Sequence, residues 1–304
     1  MTASPAQTHW VRAMPVVFVL IWSTGFIVAR YGMPHAPPFT FLLVRYLLSA
    51  LCFVLWIRWA RVAWPRDPRQ WAHLAVTGVL MHALYLGGVW AAVRAGMGSG
   101  LSALIVGLQP VLTGIWLSRH GESGVTRRQW AGLILGFLGL ALVVSRKLEH
   151  SLEVTAFTLT MAVMALLAIT IGTLYQKHFL APCDVRSANT VQLLAAAVFT
   201  LPLAWLEPHD IDWAPELFGA MAWSVLGLTL GGSSLLYLLI QRGAAASVTS
   251  LMYLVPPTTA LIAWVLFDEP ITTVTLMGVA LTAVGVSLVV RPPKIAPMSE
   301  ETKK

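Results

Sequence analysis

Two stretches of this chain repeat one pattern: GMGSGLSALIVGLQPVLTGIWLSRHGE at residues 96–122 and GAAASVTSLMYLVPPTTALIAWVLFDE at residues 243–269. A shift of 147 residues pairs the first glycine, a central proline and the closing glutamate of the two stretches. Outside them the same register, shortened by one residue after the glutamate, continues to pair similar residues: Gly25 with Gly172, Arg30 with Lys177, Thr126 with Thr272, Gly132 with Gly278 and Gly139 with Gly285. The chain therefore consists of two copies of one unit.

The composition predicts that both copies lie in a membrane. Hydrophobic residues make up 57% of the chain and charged residues 11%, whereas soluble domains are about 25% charged. Ten stretches are apolar and long enough to cross a hydrocarbon core of about 30 Å. They lie near residues 14–31, 40–60, 71–93, 99–118, 126–145, 154–176, 187–206, 216–240, 247–267 and 272–290. Because each copy has an odd number of crossings, the second must enter from the opposite side. We expect an all-α integral membrane protein with ten transmembrane helices as two inverted five-helix repeats.

Charge distribution predicts the orientation and the domain limits. With a cytoplasmic N-terminus, 15 of the 20 lysines and arginines fall on the inner side, as the positive-inside rule requires. We therefore expect both termini in the cytoplasm. The expected parts are a cytoplasmic segment 1–13, a first repeat 14–147, a second repeat 153–291 and a cytoplasmic tail 292–304. The net charge of +7 follows this topology, so no nucleic-acid partner is expected.

Prolines interrupt corresponding segments of the two copies. Pro110 lies inside the fourth segment, and Pro256 and Pro257 lie inside the ninth. Each removes a backbone donor and releases a carbonyl where lipid offers no replacement. Paired interruptions are the best sequence pointer to a carrier's central site. We interpret these three residues as helix breaks with a gating role; a tolerated kink is the alternative.

The ionisable groups expected deep in the membrane are basic. No Asp or Glu occupies the centre of any segment, but Arg45 and His82 lie inside the second and third. This argues against carboxylate-based ion coupling and against a strongly cationic substrate. Arg45, whose repeat partner is Gln192, either binds a substrate carboxylate with its planar fork or satisfies local carbonyls. His82 is either a neutral hydrogen-bonding residue or a proton acceptor.

Aromatic and polar side chains at similar depth complete the expected substrate site. With Arg45, His82 and Gln192, the candidate residues are Trp22, Thr24, Tyr85, Gln109, Tyr237 and Tyr253. An apolar pocket with a few polar groups suits a small amphipathic metabolite. We expect no metal and no cofactor.

Two other classes of function remain as alternatives. An intramembrane enzyme would need a nucleophile, and only Ser99 with His82 offers one; Met97 replaces the glycine that a GxSG pattern requires. No HExxH, P-loop or CxxC motif is present. A channel would need a continuous polar pore, which the apolar segments disfavour. We therefore expect a transporter, not an enzyme.

The motifs together resemble one family. They are Trp22-Ser23-Thr24, the Pro38-Phe39 start of the second segment with Arg45 inside it, the run from Ala91 to Gly96 before Pro110 and Gly121-Glu122, and the run from Gly243 to Pro257 before Asp268-Glu269-Pro270. The chain resembles the EamA-type members of the drug/metabolite transporter superfamily over roughly residues 14–291. The resemblance implies a carrier of the bacterial inner membrane, a monomer or homodimer, that exports metabolites such as amino acids by alternating access through a central cavity.

Overall fold

The computed structural model describes residues 5–119, 126–150, 153–208, 210–236, 254–269 and 271–290, which form helices and turns without a strand. The helices, in chain order, are α1 (Pro5–Gly32), α2 (Pro38–Ala60), α3 (Pro68–Arg94), α4 (Ser99–Val106), α5 (Gln109–Arg119), α6 (Arg127–His150), α7 (Ala156–Phe179), α8 (Val185–Leu206), α9 (Pro215–Leu236), α10 (Val255–Phe267) and α11 (Thr273–Val290). Six helical stretches of the described residues are long and apolar enough to cross a membrane, and four shorter apolar helices accompany them. The protein is an all-helical, multi-pass membrane protein.

Local sequence accounts for where several helices begin. Asp67 and Asp184 are the N-caps of α3 and α8, and their carboxylates accept hydrogen bonds from Arg69 N and Arg186 N, both at 2.9 Å. Thr155 caps α7 by accepting a hydrogen bond from Thr158 N. These side chains satisfy backbone donors that the first turn of a helix leaves without partners.

α3 and α9 each contain a stretch of π-helix. The stretches are Val79–Leu84 in α3 and Ser224–Ser233 in α9. The repeat shift of 147 residues pairs positions 79–84 with positions 226–231, which lie inside the second stretch. We call the two stretches the first and second π segments. A π turn is wider than an α turn and is frequent at functional sites.

Glycines hold α6 and α11 in close contact. A Cβ atom built on Gly139 would lie 2.5 Å from Gly278 O, and one on Gly285 would lie 2.5 Å from Gly132 O and from Gly136 N. We call these five residues the glycine seam. Only residues without a side chain allow the two backbones to approach this closely. The seam is a packing surface within one chain.

The prolines stand where helices restart. α4 ends at Val106, and α5 begins at Gln109 with Pro110 in its first turn. Pro256 and Pro257 lie in the first turn of α10. Gly107, between α4 and α5, faces the second interruption, because a Cβ there would lie 2.7 Å from Pro256 Cγ.

Carboxylates join distant parts of the chain at one end of the bundle. Glu207 accepts hydrogen bonds from Phe39 N at 2.9 Å and Thr40 N at 2.7 Å. Glu269 accepts from Ser99 N at 3.0 Å and Gly100 N at 3.4 Å. The first amides of α2 and α4 therefore find their acceptors on residues that follow α8 and α10. We call the end of the bundle around Glu207 and Glu269 the carboxylate end.

Candidate functional site

A cavity lies between helices from both halves of the chain. The space between these helices, together with the solvent into which it opens, measures about 740 Å³. Its wall is contributed by α1, α2, α3, α7, α8 and α9: Trp22, Gly25, Phe26, Arg45, Met81, His82, Tyr85, Leu86, Val89, Trp90, Gln176, Asn189, Gln192, Leu228, Ser233 and Leu236. Aromatic and aliphatic surfaces dominate this wall, and a few polar side chains interrupt it, which is the composition of a small-molecule site.

Arg45 brings a positive charge into this wall. Only 4% of the residue is exposed. Its Nε donates a hydrogen bond to Thr229 Oγ1 at 3.1 Å, and its Cζ lies 5.9 Å from the ring centroid of Trp90. Trp90 in turn stacks on Phe41 with ring centroids 4.5 Å apart. Among the described residues, one hydrogen bond and one cation–π contact hold the guanidinium.

Two consecutive residues of α2 contact both π segments. Arg45 donates to Thr229, in the second π segment, and the Thr229 hydroxyl donates to Ser224 O at 2.9 Å. The Tyr46 hydroxyl donates to His82 O, in the first π segment, at 2.8 Å. The wider π turns have carbonyls outside the ordinary helical pattern, and these hydroxyls satisfy two of them.

His82 and Gln192 also meet in the cavity wall. The side chain of His82 interacts with that of Gln192. α3 and α8 approach closely here, because a Cβ on Gly78 would collide with the backbone of Gln192. The Gln192 Nε2 atom is buried and has no hydrogen-bond partner among the described residues. Gln192 is 4% exposed, so this donor is directed to protein or cavity and not to bulk solvent.

The structure brings five of the predicted site residues together. Trp22, Arg45, His82, Tyr85 and Gln192 all line the cavity.

Two other predicted site residues lie outside the cavity wall, and two fall outside the described part of the chain. Thr24 accepts a hydrogen bond from Trp223 Nε1 at 2.8 Å, and Gln109 Nε2 donates to Thr173 Oγ1 at 3.0 Å. Neither Thr24 nor Gln109 is in the cavity wall. Tyr237 and Tyr253 lie outside the part of the chain that the structure describes.

Sequence reasoning did not select Trp90, Phe26 or Gln176, which also line the cavity. Trp90 had a usable signal, because it lies eight residues after His82 and so shares its helical face. Phe26 and Gln176 had none beyond their depth in apolar segments.

Ser99, the candidate nucleophile, lies at the carboxylate end. Its hydroxyl donates to Phe26 O at 3.1 Å, and the residue is absent from the cavity wall that contains His82. In the described part of the chain, no group of three or more His, Cys, Asp or Glu side chains is placed to hold a metal ion.

The fold and the cavity are those of a membrane transporter, and comparison with known proteins gives its family. The EamA-like transporter family matches residues 12–145 and again residues 156–291. The chain belongs to this family.

Individual relatives are distant but cover most of the chain. A protein of Archaeoglobus fulgidus named an uncharacterized transporter is 24% identical over 93% of this chain and 97% of its own length. An uncharacterized inner membrane transporter of Escherichia coli K12 is 23% identical over 93% of each protein. A probable amino-acid metabolite efflux pump of Salmonella typhimurium is 25% identical over 90% of this chain and 92% of its own. These relatives are named as transporters and not as enzymes.

The fold is similar to that of a solved crystal structure. It covers 90% of this chain and 94% of its own with a TM-score of 0.67 at 15% sequence identity.

Proposed function

We propose that this protein is a secondary transporter that exports a small amphipathic metabolite, an amino acid or a related compound, across a bacterial inner membrane. The observation that carries the proposal is the cavity, with aromatic walls and the buried Arg45 at its side. An amphipathic solute can place its apolar part against the aromatic walls and its polar part against Arg45. The name of the Salmonella relative, a probable amino-acid metabolite efflux pump, agrees with this choice.

Ten membrane crossings in two inverted repeats are part of the proposal. In the glycine seam, Gly132 packs against Gly285 and Gly139 packs against Gly278. The repeat shift of 146 residues pairs Gly132 with Gly278 and Gly139 with Gly285. Replacing each glycine by its repeat partner therefore converts the contact between Gly132 and Gly285 into the contact between Gly278 and Gly139. A two-fold relation between the halves produces such a pattern, and the matching π segments support the same relation.

Alternating access would proceed around the interruptions at Pro110 and at Pro256 and Pro257. α4 and α10 pack together, with Gly107 against Pro256. The carboxylate end joins the second half to the first through Glu207 and Glu269, and no residue of these contacts lines the cavity. With the N-terminus in the cytoplasm, the carboxylate end faces outward. Opening the cavity to the outside would then separate Glu269 from Ser99 and Gly100.

Counterflow in liposomes tests the proposal. Purified protein would be reconstituted, the liposomes loaded with one unlabelled metabolite from a panel of amino acids, their N-acyl derivatives and other small metabolites, and entry of the same labelled compound measured. A carrier shows transient accumulation that saturates with concentration, because one site is used in turn from each side. A channel shows no such overshoot.

Two substitutions locate the transport site. Arg45→Ala is expected to abolish saturable exchange. Arg119→Gln removes one positive charge from an exposed position at the end of α5 and is expected to leave exchange unchanged. The absence of counterflow for every compound, with protein correctly inserted, would rule out the carrier function.

A further inference from the structure

The described wall of the cavity has no negatively charged side chain. None of the residues that line it is Asp or Glu. Residues 237–253, which follow α9 in the sequence and lie outside the described part of the chain, contain one arginine, Arg242, and no acidic residue. Among the described residues of the wall, Arg45 is the fixed positive charge. The other ionisable base, His82, is either neutral or positive, so neither of its states compensates Arg45.

Two donor groups of the wall have no acceptor among the described residues. A guanidinium has five N–H donors and no acceptor. One of the donors of Arg45 is used by Thr229, and its terminal nitrogens have no hydrogen bond or ion pair with a described residue. Gln192 Nε2 is a second buried donor without a described partner. These donors require acceptors that the described protein does not supply.

Three backbone carbonyls of the π segments accept hydrogen bonds from hydroxyl groups. Tyr46 donates to His82 O, and Thr229 donates to Ser224 O. Ser233 donates to Leu228 O at 3.4 Å. Among the described residues of the wall, a substrate ammonium group would meet neutral acceptors only, beside a buried guanidinium that repels it. Both the substrate ammonium group and the Arg45 guanidinium would then be buried without an opposite charge, which is costly for each of them.

We infer that the cavity selects organic anions of net charge minus one, with a carboxylate or similar planar oxyanion against Arg45 and Gln192 and an apolar group against Trp22, Tyr85 and Trp90. This inference rests on the proposed function and narrows its substrate class. Among compounds related to amino acids, those with an acylated or absent amino group fit, and zwitterions with a free ammonium group do not. The planar fork of arginine matches two carboxylate oxygens at once.

A set of compounds with one side chain and four charge states tests the inference. The probes are N-acetyl-L-phenylalanine, L-phenylalanine, L-phenylalaninamide and N-acetyl-L-phenylalaninamide, which are an anion, a zwitterion, a cation and a neutral compound. Thermal stabilisation of the full-length protein in detergent gives their relative binding, and counterflow in liposomes gives their exchange. We expect the anion to half-saturate at a concentration at least about tenfold lower than the other three. A parallel set built on leucine separates charge from aromatic shape.

Variants connect the charge preference to Arg45. Arg45→Gln is expected to equalise the binding of the anion and the neutral compound, whereas Arg45→Lys retains a preference for the anion. Gln192→Leu should weaken binding of the anion severalfold without changing the order of the four compounds. Arg119→Gln is the matched loss of a positive charge outside the cavity and should leave both affinity and order unchanged. A residue that only holds helices together would not change the order of charge states.

The outcomes separate the inference from the proposed function. Exchange of L-phenylalanine at least as good as that of the N-acetyl compound overturns the inference and leaves the carrier function standing. Failure of every anion in both sets to bind also overturns it. The carrier function falls only when the broader counterflow panel is negative as well. Should Arg45→Gln fail to fold, the order of the compounds on the wild-type protein still decides the question.

Discussion

At the scale of single residues, Arg45 and Tyr46 are the most consequential neighbours in the chain. They follow one another on α2, yet Arg45 bonds to Thr229 in the second π segment and Tyr46 bonds to His82 O in the first. A short piece of one helix is thus attached to corresponding elements of both halves. One turn of α2 therefore supplies both the positive charge of the cavity wall and the hydrogen bonds to the two π segments.

Tyr46→Phe is expected to reduce stability without changing the shape of the core. Tyr46 is fully buried, and without its hydroxyl His82 O keeps only the backbone N–H of Tyr85 as a donor. The expected cost is about 0.5–1.5 kcal/mol, measured as a lower thermal midpoint in detergent. Tyr31→Phe is the control, because Tyr31 is 36% exposed and its hydroxyl has no hydrogen-bond partner among the described residues. Equal midpoints for Tyr46→Phe and wild type would contradict the role given to this hydrogen bond.

Asp184→Asn should lower stability in a pH-dependent manner. Arg186 donates to the Asp184 carboxylate from Nε at 2.9 Å and from Nη2 at 2.8 Å, and these hydrogen bonds lower the pKa of Asp184. A carboxyl group that binds its proton more weakly in the folded state stabilises the fold above its ordinary pKa of about 3.9 and loses this effect as pH falls through the folded value. The difference in thermal midpoint should be largest near neutrality and should shrink below about pH 4.

Asp67→Asn provides the matched control for this pH dependence. Asp67 also caps a helix through its carboxylate, and asparagine is as good a cap as aspartate. Asp67 has no ion pair among the described residues, so its substitution should produce a smaller change in the thermal midpoint. The same pH profile for both variants would show that the Arg186 contact is not the cause.

At the scale of helices, the glycine seam decides how α6 and α11 pack. Gly139→Ala places a methyl group 2.5 Å from Gly278 O and 2.6 Å from Thr282 Oγ1. Backbone atoms on a facing helix have little room to move, so we expect a loss of about 1–3 kcal/mol, seen as a lower thermal midpoint.

Gly219→Ala gives the seam experiment its control. Nothing lies within 4 Å of a Cβ at this exposed position in α9. Alanine there should be neutral or stabilising, because glycine in a helix costs roughly 0.5–1 kcal/mol relative to alanine. If both variants lose the same stability, close packing is not the reason that Gly139 is glycine.

Much of the helical layout was predictable because each membrane span requires a continuous run of apolar residues. The segments expected at 40–60, 71–93 and 187–206 correspond to Pro38–Ala60, Pro68–Arg94 and Val185–Leu206. The π segments were not predicted, since a π turn depends on partners such as Tyr46 and Arg45 that come from another helix. The partners of Glu269 were not predicted, because Ser99 and Gly100 lie in the other half of the chain and nothing in the local sequence specifies them.

The cavity residues were predictable as far as depth and polarity define them. Arg45, His82 and Gln192 are polar groups in apolar segments, and all three line the cavity. Thr24 and Gln109 have the same signal but bond to Trp223 and Thr173, because depth does not specify which face of a helix is turned to the centre.

At the scale of the whole molecule, orientation in the membrane is directly testable. Lys177, in the last turn of α7, and Asp210, after α8, are both exposed and belong to opposite sides in the proposed topology. In a background with Cys52 and Cys183 replaced, a membrane-impermeant maleimide should label Lys177→Cys only in inside-out vesicles and Asp210→Cys only in right-side-out vesicles. The reverse pattern would invert the proposed orientation and with it the positive-inside assignment.

The carboxylate end has a consequence for biosynthesis. The acceptor of Phe39 N lies 168 residues later in the chain and the acceptor of Ser99 N lies 170 residues later. The ribosome therefore delivers α2 and α4 to the membrane long before Glu207 and Glu269 exist, and the first amides of both helices must use water or lipid headgroups in the meantime. The first half can insert early but cannot complete its structure until the last third of the chain has been translated, so the final fold is a post-insertion event.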